Sequence, residues 1–240
     1  MDTQHGGRPT DRELMRMHVE TLFTHDAAGR LLRVNEPDGR RAPIFFLGRV
    51  VDGGRLLRTR HDVDDALARE IEAVCRAEPA GDEFLEPSWG SEPYEDLLAR
   101  VERSYPVWSG PVYHFPRELP VAGNTMLVTE ENAHVLSPHL EGWLDDVGPR
   151  QPMAVALAGG EAVSISGSVR AGAEAHEAGV ETACAFRGRG HAAQAVAAWA
   201  AIVRAMGRIP LYSTSWCNEE SQALARKLGL RRYGSTLHIT

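Results

Sequence analysis

The chain has 240 residues, 43% of them hydrophobic and 25% charged, a balance that supports a sizeable packed core and shows no repeat or low-complexity tract. Its net charge of −7 argues against a nucleic-acid partner, because proteins that grip a phosphate backbone display a basic face. The three cysteines, Cys75, Cys184 and Cys217, are odd in number and have no C-x-x-C spacing, so neither a disulfide framework nor a zinc site is expected.

No stretch reaches the roughly 18 consecutive apolar residues of a membrane span, and the first residues lack the charged-then-apolar order of a secretion signal. The expectation is a cytoplasmic protein with no membrane partner. Acidity is concentrated early: residues 1–120 hold 16 basic and 22 acidic side chains, residues 121–240 hold 10 and 11. An acidic half could favour a cationic substrate or merely keep the chain soluble. Lys227 is the single lysine among 26 basic residues.

Residues 1–11 are polar and Gly/Pro-containing and read as a loose tail. Short β-type runs follow at 19–24, 30–34, 44–51 and 56–60, separated by turn signals at Ala28-Gly29, Pro37-Asp38-Gly39 and Asp52-Gly53-Gly54, the pattern of an antiparallel meander. Residues 62–77 place Val63, Leu67, Ile71 and Val74 at helical spacing behind a capping Asp62, and a second helix is expected over 92–102. The Pro-rich stretch 78–120 changes character, which sets a boundary between an N-terminal α+β domain, 1–120, and a second domain, 121–240.

In the second domain the pattern predicts strands at 125–129, 153–157, 162–169 and 179–183, with a helix at 131–146. A long Ala-rich helix over 188–206 stops at Gly207, a strand at 209–216 leads into a helix at 219–228 stopped by Gly229, and a last strand covers 233–239. The fold class expected is α+β, a mixed but mostly antiparallel sheet flanked by helices, preceded by the meander and its helices.

The chemistry-bearing stretch is Phe186-Arg187-Gly188-Arg189-Gly190-His191-Ala192, at the junction of a predicted strand and the most helix-prone segment. The first amides of a helix have no internal partners and carry the positive end of its dipole, so they form a site for a diphosphate. Glycines at 188 and 190 remove Cβ atoms that would hold phosphates away, while Arg187 and Arg189 add charge. About 25 residues on come Ser213-Thr214-Ser215-Trp216-Cys217-Asn218-Glu219-Glu220-Ser221 and then Ala225-Arg226-Lys227-Leu228-Gly229-Leu230.

These two stretches resemble the GNAT superfamily of N-acetyltransferases, whose acyl-CoA loop follows Q/R-x-x-G-x-G/A, matched here by Arg187, Gly190 and Ala192, and whose second signature is a strand, an Asn and a helix ending in a K-L-G-F-like turn. The resemblance covers residues 121–240, and the whole arrangement looks like a bacterial two-part type with an additional N-terminal half. It implies an acetyl-CoA-dependent transfer to a primary amine of a small molecule, in a ternary complex, with acetyl-CoA as cosubstrate and no metal. The pantetheine arm would lie between two splayed strands, along Val180, Thr182 and Ala183, with the amide near Thr182 polarising the thioester carbonyl. The diphosphate would meet Arg187, Gly188, Arg189, Gly190, His191 and Ala192. Asn218 and Ser221 would border the cofactor, and capping of the next helix is an equal role for Asn218.

Glu181 is the candidate general base, with Glu177 in reserve. Many family members use a tyrosine to protonate the leaving thiolate where this chain has Ala225; Tyr212, Ser221 or Tyr233 could supply the proton, and Tyr212 is the catalytic candidate among them. His176, Glu177 and Glu174 cluster in sequence, but a solvated loop accounts for them better than a metal site. Cys184 reads as a small apolar residue rather than an acyl-enzyme nucleophile. The competing reading is a non-catalytic acyl-CoA-binding or regulatory protein. The sequence sets no oligomeric state, with a homodimer the form considered.

Overall fold

The computed structural model describes residues 8–78, 91–99, 106–119 and 123–240. The proposed boundary between residues 120 and 121, and most of the expected loose tail, lie outside the described residues. Two helices and four strands open the chain: α1 (Asp11–Leu22), β1 (Phe23–His25), β2 (Leu31–Val34), β3 (Phe45–Val50), β4 (Arg55–Thr59) and α2 (Asp65–Ala77). Then come α3 (Glu92–Leu98), β5 (Val107–His114), β6 (Thr125–Val128), β7 (Met153–Ala158), β8 (Glu161–Ala171) and β9 (Ala175–Thr182). α4 (His191–Ala205), β10 (Ile209–Ser213), α5 (Glu219–Lys227) and β11 (Arg231–Ile239) complete it.

Among the described residues nine strands form one sheet in the order β4-β3-β11-β5-β10-β9-β8-β7-β6, and β1 and β2 pair apart from it. Every neighbouring pair is antiparallel except β9 and β10. The strands β3 and β4 of the expected meander thus extend the same sheet, through β11. One face of the sheet takes α1, whose Leu14, Met15 and Val19 pack with Phe46, Val112, Ala175 and Leu211. On the opposite face, Val196, Trp199, Ala200 and Val203 of α4 meet Tyr113, Phe115, Ala178 and Tyr212. Phe45 and Leu47 of β3 point to that second face too, toward Ile71 of α2 and Leu97 of α3. All six residues of β3 are buried, as expected of a strand covered on both sides.

Several expectations are corrected. Residues 19–22 belong to α1, not to a strand. Thr10 and Glu13 close a reciprocal capping box that fixes the helix start, and the apolar spacing of Leu14, Met15, Val19 and Leu22 buries one face. The run at 131–146 is two 3-10 segments, 130–136 and 141–146, because Pro138 removes an amide and restricts Ser137. Strand β5, within the stretch read as a Pro-rich boundary, is central to the sheet although Pro111 lies inside it. The long helix starts at His191 rather than 188, because Gly188 and Gly190 adopt left-handed φ of 73° and 90°. The strand at 209 ends at Ser213.

Candidate active site

The site grows from the parallel pairing of β9 and β10. β9 and β10 are in register only at Ala175–Ile209, His176–Pro210 and Glu177–Leu211. Beyond that point each strand follows its other neighbour. The N–H of Ala183 donates to Val163 O at 3.0 Å, holding β9 against β8, while the N–H groups of Thr214 and Trp216 donate to Pro111 O and Ser109 O, both at 3.2 Å, holding the β10 end against β5. Gly110 permits the second departure: a Cβ there would lie 1.8 Å from Thr214 O. A slot opens between two strands that keep their outer partners and lose each other.

Strand alternation sets what the slot presents. Because Ala183 is hydrogen-bonded to β8, Val180 and Thr182, opposite Ser166 and Ser164, turn their backbone groups away from β8 and into the slot. The Thr182 hydroxyl meets Ser164 Oγ at 2.8 Å, and Thr182 O accepts from Arg187 Nε at 3.3 Å. Side chains alternate too: Ala178 and Val180 pack toward α4, whereas Glu177 and Glu181 point to the opposite face.

At the open end, Gly190 is the left-handed residue before α4, and the first helical bond runs from the Gln194 N–H to Gly190 O at 3.4 Å. The preceding amides have no helical acceptor, which leaves the positive end of α4 facing the slot. The resulting cavity of about 590 Å³ is lined by Val180, Glu181, Thr182, Arg187, Gly188, Gly190, His191, Ala192, Tyr212, Asn218 and Ser221 from the sequence reading. Ala183 and Arg189 are outside the lining. The Ala183 amide is committed to β8, and the Arg189 guanidinium lies over the Phe186 ring, 5.6 Å from its centroid.

Glu181 Oε2 accepts a hydrogen bond of 2.6 Å from the Trp143 indole, which fixes the carboxylate at the rim. Glu177 is elsewhere: it is buried where the strands part, its Oε2 3.2 Å from His18 Nδ1 of α1, and it does not line the cavity. Neighbouring residues of the dismissed cluster are also engaged, His176 Nδ1 with Ser168 Oγ at 2.8 Å and Glu174 with Arg16 at 2.8 Å. The Tyr212 hydroxyl is 2.5 Å from Ser221 Oγ, and burial pushes its pKa up to about 12. Tyr233 is fully buried away from the cavity, and burial raises its phenol well above the usual value. Asn218 caps α5, its side chain accepting from the Ser221 N–H at 3.0 Å, and still borders the cavity.

Two contributors escaped the sequence reading. Lys227, in the last turn of α5, brings Nζ to 3.0 Å from where a Gly190 Cβ would be, so the only lysine of the chain lies against the glycine bend. Its singularity was the available signal. Trp143 carried none, being 38 residues from the carboxylate that it orients.

Residues 154–235 match the family model for the GNAT acetyltransferase. That match covers about a third of the chain and marks this segment as similar to GNAT acetyltransferases. The GNAT segment runs from β7 into β11 and contains the slot, the glycine loop, α4 and α5. Among solved structures, a GNAT-family protein of Novosphingobium aromaticivorans is 18% identical over 57% of this chain and 66% of its own, just under two thirds of its length, with a TM-score of 0.47. A GCN5-related N-acetyltransferase-like protein of Streptococcus suis is 16% identical over 83% of this chain and 85% of its own, at a TM-score of 0.45. An acetyltransferase from the GNAT family of Colwellia psychrerythraea is 15% identical over 82% and 81%, at 0.47. No curated protein matches this sequence. A GNAT fold supports acyl transfer in general terms.

Proposed function

We propose that the protein transfers the acetyl group of acetyl-CoA to a primary amine of a small molecule by direct attack in a ternary complex. One observation carries the reading: β9 and β10 part beyond Glu177 and Leu211 at the end of the sheet that the left-handed glycine loop caps. The diphosphate rests on the amides that open α4, with Arg187 and Lys227 adding charge. The thioester carbonyl accepts a hydrogen bond from the Thr182 N–H, a fixed dipole that needs no reorganisation as negative charge grows on the oxygen. Because Val180 faces α4 and Glu181 the other side, the cofactor and the amine approach from opposite faces. The Glu181 side is the face on which α1 packs, against Ala175 and Glu177 of β9, which supports an acceptor-binding role for residues 1–120.

As the N–C bond forms, Glu181 takes the proton of the amine, directly or through water, and the electron pair of the breaking C–S bond leaves with sulfur. Burial pushes the Tyr212 phenol up to about 12, which makes it a weaker acid than an ordinary tyrosine. Its part is a hydrogen bond to the departing sulfur, and the thiolate leaves without needing a proton first.

The test is calorimetric titration with acetyl-CoA of the wild type and Gly190→Asp, followed by thiol release across an amine panel. At φ 90° and 3.0 Å from Lys227 Nζ, an aspartate strains the bend and sets a carboxylate against the diphosphate, so binding is expected to vanish. Undiminished affinity would mean that the loop is not the cofactor site. The buried Ala225, where many relatives have tyrosine, favours a second reading as an acyl-CoA-binding protein without turnover; binding with no thiol release from any amine would select it.

A further inference from the structure

A second cleft lies at the other end of α4. Arg8, Arg117, Arg204 and Arg231 line it together with His114 and Phe115, around a volume of about 530 Å³. The 15 residues of α4 separate it from the glycine loop, a span on the order of 20 Å. In a chain of net charge −7, four guanidinium groups around one concavity are against the prevailing sign.

Arg204 shows why the cleft is unfinished. Its guanidinium is held by neutral acceptors only: Nη1 donates to Arg117 O at 2.9 Å, and Nη2 donates to Pro116 O at 2.5 Å and Phe115 O at 3.3 Å. Among the described residues no carboxylate comes within ion-pair distance of it. Burial holds its pKa below the usual arginine value, yet arginine stays charged, so a half-buried cation is left without a counter-ion. Arg231 is matched by Asp11, with Nη2 to Oδ1 at 2.6 Å and Nη1 to Oδ2 at 3.0 Å. Asp11 pairs with Arg231, and among the described residues no other carboxylate forms an ion pair with the four guanidinium groups. His114, on β5 beside Arg231, has its pKa held down to about 4 by burial and then by Arg231, Arg204 and Arg8, with Asp11 opposing. The negative pole of α4 works against an anion here, but its roughly half charge is outweighed by the uncompensated guanidinium groups.

We infer that this cleft is a second binding site that takes a small multivalent oxyanion, a carboxylate or phosphate compound, on Arg8, Arg117, Arg204 and Arg231. Planar guanidinium forks match carboxylate and phosphate oxygens two at a time. The occupant is small because the basic groups converge on one cavity instead of extending over a face, as a nucleic-acid strand would require.

The imidazole of His114 reports on this site alone. In the full-length protein its proton resonance, assigned with His114→Gln, is followed while citrate or inorganic pyrophosphate is added at constant ionic strength. A saturable shift is expected, with the His114 pKa rising as the bound anion offsets the arginines. The double variant Arg8→Gln/Arg117→Gln, altered only at exposed side chains, should weaken the apparent affinity at least tenfold. Gly190→Asp should leave the His114 response unchanged, since the glycine loop is not involved. Response to citrate alone assigns carboxylates, and response to pyrophosphate alone assigns phosphates. A resonance that neither compound moves, or that moves equally in the double variant, overturns the inference.

Discussion

Glu181 and Trp143 show how a surface carboxylate becomes a positioned one. An exposed glutamate normally samples several rotamers, and the 2.6 Å bond from the indole selects one. If Glu181 accepts the proton of the attacking amine, Glu181→Gln keeps the size and the indole contact but cannot take a proton. Its kcat is then expected to fall by roughly 10²- to 10⁴-fold, with acetyl-CoA affinity unchanged in calorimetry. Full activity in that variant would remove Glu181 from the mechanism. The sequence made this residue legible as a candidate through its place beside Val180 on a strand, whereas the tryptophan that orients it comes from a 3-10 segment that only tertiary packing brings near. Lys227 makes the same point: it reads as a basic residue in a last helical turn, and its approach to Gly190 depends on how α5 docks beside α4.

At the level of elements, the slot depends on β10 leaning onto β5, and Gly110 is the residue that lets it. A methyl group at that position would meet Thr214 O at 1.8 Å, a contact with backbone that no rotamer change relieves. Gly110→Ala is expected to cost about 1–3 kcal/mol of stability and to weaken acetyl-CoA binding by displacing the β10 end toward β9. Denaturant unfolding and calorimetry together check it, and a variant with wild-type stability and affinity would show that the lean is not what holds the slot open. The glycine loop, α4, β10 and α5 were readable because their signals are local: paired glycines, an alanine-rich run, an Asn cap and a Gly stop. Strand β5 was not, because Gly110 and Pro111 have the chemistry of a turn, and only its neighbours β10 and β11 make an extended path favourable there. Residues 19–22 show the converse: a β-branched and aromatic run has the composition of a strand, while the capping box at Thr10 and Glu13 starts a helix that extends through it.

Across the whole molecule, histidines buried in the neutral state should set the response to acid. His238 of β11 packs edge-on against Trp108, with Phe23 and Phe46 beyond, and among the described residues neither ring nitrogen has a hydrogen-bond partner. Burial, then His18 and Arg170, lower its pKa from 6.5 to about 3. His114 is lowered to about 4, and His25 and His176 are lowered as well, in each case chiefly by burial. The unfolded chain therefore takes up protons below pH 6.5 that the folded chain refuses, and stability falls as the pH drops from 6.5 toward 4 and, for His238, toward 3. The carboxylates act later: Asp62, held by Arg60 and Arg41, has its pKa lowered from 3.8 to about 2, so its contribution is lost only as the pH falls through that lower range. Each fully refused proton gives a slope of about 1.4 kcal/mol per pH unit. His238→Phe retains an aromatic edge against Trp108 and cannot titrate. Urea unfolding between about pH 7.5 and pH 5 should therefore show a variant whose stability declines less than that of the wild type, by up to one proton's slope below the ordinary histidine pKa. Parallel curves for the two proteins would mean that His238 is solvated and protonated in the native state, and that the acid response arises elsewhere.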